Sequence, residues 1–378
     1  MPTLPETAGP DPARLLVRGV NWLGDAVMTT PALQRLRARF PAARLAILTP
    51  AKLAPLWQGH PDLDEVVEMP PGGTLWATAR LVRGGRYDLA LVLPNSPRAA
   101  LECWLGGVPR RVGRAAGWRD WLLTRAVPDR PGRAPMRKLD AREVRRRIAA
   151  APAAPVSDPP PAAHQSHDYL HLVAALGADP GPLPPRLAVK EAEVAEALAA
   201  FLPPGSGEAP GLLLGLNPGA EYGPAKRWPA EHFIAAAREV TDRVGPCRWL
   251  VFGAAADRAL AERIALGVGP AAVNLAGRTS LRELMALLRA CRVVLTNDTG
   301  PMHLAAALGT PVVALFGSTS PVLTGPGLPG DPRHRLLRGE AACAPCFQRE
   351  CPVDFRCLAG LAPARAALAV LELLGNGD

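Results

Sequence analysis

The chain has 378 residues, 48% of them hydrophobic and 20% charged, with a net charge of +9. That length exceeds one ordinary core, so two domains are expected, and the composition is that of a globular chain. No apolar run reaches the roughly 20 residues that span a bilayer. Residues 1–12 are polar and Pro-rich and lack the basic-then-apolar order of a secretory signal, so the cytoplasm is the expected compartment.

Residues 15–20 form an apolar run of strand length. The turn 21–25 follows, and 26–40 has helical spacing with Val27, Leu33 and Leu36 on the inward face. Residues 44–48 supply a second strand, completing a βαβ unit. Asp25 stands where the first strand gives way to the first helix, where the helix dipole favours a carboxylate. Two readings of it remain open: an N-cap, a position Asp favours, or a base that takes a proton from a hydroxyl nucleophile. Asp62-Leu63-Asp64 has the form of a metal-binding DxD but lies in a loop leading to a strand, and reads as a turn.

Residues 88–93 are another buried strand, ending at the loop Pro94-Asn95-Ser96-Pro97-Arg98. From 110 to 147 thirteen basic residues face only Asp120, Asp129, Asp140 and Glu143, with Trp118 and Trp121 among them. Such a stretch is either a solvated helical face or a surface for nucleic acid, anionic lipid headgroups or a phosphorylated glycolipid. No recognisable nucleic-acid module accompanies it, which disfavours that partner. Residues 149–163 are Ala/Pro-rich and aperiodic and read as an insert. After a helix at 167–176, residues 181–185 read as a hinge, giving domains at 1–183 and 184–378.

The second half repeats the alternation: strands at 212–216, 248–252 and 272–275, helices at 231–243 and 256–266, and a capping box of Ser280 and Glu283 opening a helix to Ala290. The polar loop 217–229 contains Gly219, which permits close backbone approach, and Lys226 and Arg227, which suit a leaving diphosphate. Residues 293–295 are a buried strand. Asp298-Thr299-Gly300 then turns into a helix with Pro301 in its first turn, capped by Gly309. Free N–H groups and the helix dipole make such a turn an anion site. The plainer alternative is a tight βαβ connection. His303, one turn into that helix, is either packed or a ligand for phosphate or sugar. There is no GxGxxG after the first strand and no Walker loop, which argues against a dehydrogenase or a phosphoryl-transfer enzyme. Alternating strands and helices in both halves give an α/β fold of two Rossmann-like doubly wound parallel-sheet domains, with ligands expected at the strand C-terminal ends facing a cleft.

Of seven cysteines, Cys103, Cys247 and Cys291 fall in apolar contexts. Cys343, Cys346, Cys351 and Cys357 cluster with gaps of two, four and five residues. A structural metal, an iron–sulfur cluster or disulfides are the options, and the spacing matches no standard site.

Taken in order, Trp22-Leu23-Gly24-Asp25, Leu93-Pro94-Asn95-Ser96, the loop 218–229, Gly277-Arg278-Thr279-Ser280-Leu281 and 297–303 resemble the ADP-heptose:lipopolysaccharide heptosyltransferases, most of all the heptosyltransferase II type. The resemblance runs from Leu15 to about Leu374. It implies a GT-B type glycosyltransferase that inverts configuration, needs no metal or other cofactor for catalysis, and moves heptose from ADP-heptose to a Kdo-lipid A type glycolipid of the lipopolysaccharide inner core. Asp25 is then the general base. Lys226, Asp298, Thr299 and Gly300 belong to the donor site, and Gly219 and His303 are added to it as candidates. Acceptor contacts fall to the N-terminal half, where Asn95, Ser96 and Arg98 are the candidates, with 110–114 behind them. Peripheral contact with an anionic membrane, on the inner face of the inner membrane, goes with such an acceptor. The acidic residue that some relatives carry after the second strand of the C-terminal half has only Asp257 as a substitute here. The alternatives are a transferase of the same fold with another nucleotide-sugar or acceptor, and a non-catalytic nucleotide- or glycolipid-binding protein.

Overall fold

The computed structural model describes residues 10–150, 159–202 and 211–375. Most of the insert expected at 149–163 lies outside the described residues. Twelve strands form two six-stranded sheets in which every pairing is parallel. The first holds β1 (Arg14–Arg18), β2 (Arg44–Pro50), β3 (Glu65–Met69), β4 (Leu89–Val92), β5 (Arg110–Arg114) and β6 (Arg125–Val127), in the order β3-β2-β1-β4-β5-β6. The second holds β7 (Leu212–Asn217), β8 (Cys247–Val251), β9 (Ala272–Asn274), β10 (Val293–Asn297), β11 (Val312–Phe316) and β12 (His334–Arg338), in the order β12-β11-β10-β7-β8-β9. Counted from its own first strand, each sheet has the doubly wound Rossmann order, with its switch point between β1 and β4 or between β7 and β10.

Parallel strands covered on both faces read as unbroken apolar runs rather than alternating ones. Leu15, Leu16 and Val17 in β1, and every residue of β10 and β11, are buried accordingly. In the second unit Trp228, Phe233 and Trp249 anchor the core. In the first, Leu16, Ala46, Leu48, Ala90 and Val92 on one sheet face meet Val82, Ala99, Cys103 and Leu122 from the segments that cover it.

The single helix expected at 26–40 is two: Leu23–Met28 and Thr30–Arg39. Pro31 has no N–H to continue the ladder, and its ring disfavours helical geometry just before it. The Thr29 and Thr30 hydroxyls donate instead to the carbonyls of Ala26 and Val27, at 2.6 and 2.9 Å.

The chain divides into two compact units, one of residues 1–133 with 162–188 and one of 134–161 with 189–378. The basic segment after Arg133 therefore groups with the second sheet, although it precedes the hinge expected at 181–185. Its helix Ala141–Ala149 buries Val144, and with Leu139 this side chain packs against Cys343 and Cys346.

Candidate functional site

At the switch point of the first unit, the chain leaving β1 carries Asn21, Trp22 and Asp25, and the chain leaving β4 carries Asn95, Ser96 and Arg98. Asp25 is not the N-cap. That position belongs to Trp22, and Asp25 sits in the first turn of Leu23–Met28. Its half-buried carboxylate accepts a 3.1 Å hydrogen bond from Gln165 Nε2, which also donates to the Tyr169 hydroxyl at 3.1 Å. Burial, and then the Asp25 charge, push the Tyr169 phenol up, so it keeps its proton. Asp25 is thus an oriented, reachable carboxylate.

Glu102 is fully buried and ties two arginines together. Arg18 Nε lies 2.9 Å from one of its oxygens and Arg98 Nε 3.0 Å from the other. Arg18 also reaches Asn21 Oδ1 at 3.2 Å, and Arg98 reaches the Gly73 carbonyl. Arg18, Asn21, Gly73 and Arg98 line a cavity of about 490 Å³ together with Met69 and Ser96. Ser96 also caps the helix Pro97–Leu105, its hydroxyl accepting from the Ala99 amide. Asn95 is exposed and does not line this cavity.

Arginines of the basic stretch brace neighbouring segments; of those expected behind these candidates, Arg110 donates to the carbonyls of Asp88 and Pro10, at 3.4 and 2.7 Å. Arg119 is buried and donates to the carbonyls of Pro94, Ser96 and Arg114, at 2.8, 3.3 and 3.0 Å. Arg111 braces the carbonyl of Leu122, and Arg114 pairs with Asp129. The basic stretch is therefore not one uniform surface.

In the second unit, the loop after β7 and the turn after β10 meet at the switch point. Lys226 Nζ lies 2.7 Å from Asp298 Oδ2 and 3.3 Å from the Asp298 carbonyl oxygen, and 5.1 Å from the Tyr222 ring centre. The Thr319 hydroxyl, just past β11, donates to the same Asp298 oxygen at 2.6 Å. Lys226, the candidate for the donor diphosphate, is held in a largely buried ion pair with Asp298. Asn217 Nδ2 donates to the hydroxyls of Thr296 and Thr299, at 3.1 and 3.0 Å, and Asn297 holds the Trp228 amide and the Pro218 carbonyl. The two loops are cross-stitched by side-chain amides, which fixes Thr299 and Gly300 at the start of the helix Gly300–Ala307. His303 is buried in that helix.

Gly219 has a steric reason to be glycine. A Cβ there would come within 2.3 Å of Asp257 Oδ2. Asp257 is itself engaged, with Arg227 at 3.0 Å and the Ala254 amide at 3.2 Å. The acid that would stand in for a ribose contact is thus committed to holding Arg227 against its loop. A larger open groove of about 1300 Å³ borders Ala255, Glu262, Asn274 and Arg278, along the edge strand β9.

All seven cysteines are free thiols. Burial pushes Cys343 and Cys346 up, and Cys357 up to about 12, so these are protonated thiols in apolar surroundings. Among the described residues no group of His, Cys, Asp or Glu is arranged to hold a metal ion.

Two Rossmann sheets with polar and charged clusters at both switch points are the architecture of a GT-B type glycosyltransferase. The model of Glycosyltransferase family 9 (heptosyltransferase) matches residues 75–355, and the chain belongs to that family. It is 34% identical over 351 residues to lipopolysaccharide heptosyltransferase 2 of Escherichia coli K12, covering 87% of this chain and 92% of that one. It is 34% identical over 324 residues to the Salmonella typhimurium LT2 protein of the same name, covering 83% and 85%. Among solved structures, E. coli ADP-heptose lps heptosyltransferase II superposes with a TM-score of 0.72 at 29% identity, covering 96% of this chain and 99% of that one. A family 9 glycosyl transferase from Veillonella parvula gives 0.76 at 22% identity, over 97% and 98%. Gln165, Glu102 and Thr319 are the site residues that sequence reasoning missed.

Proposed function

We propose that this family 9 glycosyltransferase moves heptose from ADP-heptose to the heptosyl-Kdo-lipid A inner core of lipopolysaccharide. The observation that carries the reading is the placement of Asp25 and of the Lys226–Asp298–Thr319 cluster at the switch points of two Rossmann units. The family and its relatives support heptosyl transfer in lipopolysaccharide synthesis; the heptosyl-Kdo-lipid A acceptor is the reading drawn from the resemblance to the heptosyltransferase II type.

In this reading Asp25 accepts the proton of the acceptor hydroxyl as that oxygen bonds to the anomeric carbon. The bond from that carbon to the diphosphate oxygen breaks on the opposite face, so configuration inverts. Lys226 and the amides that open Gly300–Ala307 stabilise the charge developing on departing ADP. Gln165 keeps Asp25 pointed at the acceptor. The Arg18–Glu102–Arg98 cavity receives part of the acceptor, with Ser96 and Asn95 beside it. No metal or cofactor enters any step, and the cysteine loop has no part in the chemistry. A lipid-anchored acceptor places the work at the inner face of the inner membrane.

The test is ADP release from ADP-heptose, with and without a heptosylated Kdo-lipid A acceptor, for wild type and Asp25→Asn. Acceptor-dependent release that disappears in the variant, with ADP still bound, is the expected result. Release that survives the substitution removes Asp25 as base, and failure of the wild type with this pair reopens donor and acceptor.

A further inference from the structure

Three of the eight tryptophans, Trp57, Trp228 and Trp249, are core residues. The other five are exposed, and all five belong to the first unit. Four of them lie on three consecutive covering segments: Trp76 on the helix Leu75–Gly85, Trp104 on Pro97–Leu105, and Trp118 and Trp121 on the turn of helix Gly117–Leu122. Their exposures are 69, 42, 69 and 62%. Val82, Ala99, Cys103 and Leu122 seat these segments on the same face of the sheet, so their outward sides make up one surface. Trp104 and Trp121 touch edge to face, with ring centres 5.8 Å apart. Leu81 adds an exposed aliphatic side chain.

The charge on this layer has one sign. From residue 70 to 127 there are nine arginines and three acids, Asp88, Glu102 and Asp120. None of the three acids is exposed: Glu102 is buried beneath Arg18 and Arg98, Asp88 accepts from the amides of Ala13 and Arg14, and Asp120 accepts from the Ala116 amide. Arg80 is exposed one helical turn from Trp76, and Arg83 is exposed one turn further. Indoles pair an apolar body with a polar N–H and settle at the boundary between hydrocarbon and water, while arginines beside them meet anionic headgroups.

We propose that this face, formed by Trp76, Trp104, Trp118 and Trp121 with Arg80 and Arg83, docks the protein on an anionic lipid bilayer. Charge complementarity and the spread of indoles over one helical layer favour a bilayer over a nucleic acid. Single-strand binders align aromatics along a basic groove, and these indoles line neither the 490 Å³ cavity nor the 1300 Å³ groove. The face also runs into the acceptor side of the unit. Gly73, which accepts from Arg98 and lines the 490 Å³ cavity, is three residues before Trp76. A docked face would present that cavity to a glycolipid still anchored in the membrane, a corollary that rests on the acceptor proposed above; the docking itself does not.

The experiment is flotation of the full chain with vesicles of pure phosphatidylcholine, and of phosphatidylcholine with phosphatidylglycerol, at low and high salt. It is run on wild type, on Trp76→Ser/Trp118→Ser/Trp121→Ser, and on Arg80→Glu. Turnover is measured in parallel with a deacylated, water-soluble acceptor. Wild type should bind the anionic vesicles, with salt weakening it, and blue-shifted indole emission should accompany binding. The triple variant should bind at least about tenfold less, and Arg80→Glu several-fold less, both with unchanged turnover on the soluble acceptor. Equal vesicle binding by wild type and triple variant overturns the proposal, as does binding of single-stranded RNA in place of vesicles. Vesicle binding without turnover on any acceptor leaves the docking face standing and removes the acceptor assignment. Turnover without vesicle binding does the reverse.

Discussion

Lys226 Nζ and Asp298 Oδ2 are 2.7 Å apart, and both side chains are largely out of water. They come from loops 72 residues apart in sequence, joined only because β7 and β10 are neighbours at the switch point. Removing one partner of such a pair leaves an uncompensated charge, at a cost of about 3–5 kcal/mol. Lys226→Met is expected to lower unfolding stability by that order and to weaken ADP binding strongly. Lys226→Met/Asp298→Asn should regain much of the stability without regaining ADP affinity. Calorimetric titration with ADP beside urea unfolding separates the two effects. Full ADP affinity in the single variant would take Lys226 out of the donor site.

Asp25 and Gln165 make a second separable pair. Asp25→Asn preserves shape and removes the base, so kcat should fall by about 10²–10⁴ with ADP affinity unchanged. Gln165→Leu leaves the carboxylate but frees its rotamer, and a loss of about tenfold in kcat is expected. A variant with wild-type kcat at position 165 would show that Tyr169 and the backbone orient Asp25 without the amide.

What the sequence made legible follows from how far each signal reaches. Buried parallel strands are unbroken apolar runs, so β1, β7 and β10 stood out, and the polar turns after them located Asp25, Lys226 and Asp298–Gly300. Partners brought in from a distance left no local trace. Gln165 is 140 residues from Asp25, and Glu102 is 84 from Arg18. Arg119 looked like one more surface charge in a basic run, yet its guanidinium is buried against three carbonyls. Composition cannot tell an arginine that solvates from one that braces. The break at Thr29 was written in Pro31, whose effect on the preceding turn outweighs the helical spacing around it.

Glu102 offers a stability test confined to the first unit. Glu102→Ala strands Arg18, 3% exposed, without its carboxylate. A loss of about 3–5 kcal/mol is expected, visible as an early transition in thermal unfolding. Arg98→Met removes only the half-exposed partner and should cost about 1 kcal/mol or less. Equal losses for the two would mean that Glu102 is held by its surroundings rather than by Arg18.

His334 sets a pH dependence in the second unit. Neither ring nitrogen has a hydrogen-bond partner, and Asp331, 3.9 Å away, opposes burial only in part. Burial pushes the imidazole from its ordinary 6.5 down to about 4. A depressed histidine binds protons better unfolded than folded, so its contribution is complete above pH 6.5 and is lost as pH falls from there towards 4. The full difference is on the order of 3 kcal/mol and is reached only below the folded value. His334→Leu removes the titration without breaking a hydrogen bond. It should match wild type within about 1 kcal/mol at pH 7.5 and exceed it at pH 5. Carboxylates add their own slope in both proteins, so the measured quantity is the difference between the two urea midpoints across pH. A difference that stays flat from pH 7.5 to 5 would show that His334 binds its proton equally well folded and unfolded, so that burial does not depress it.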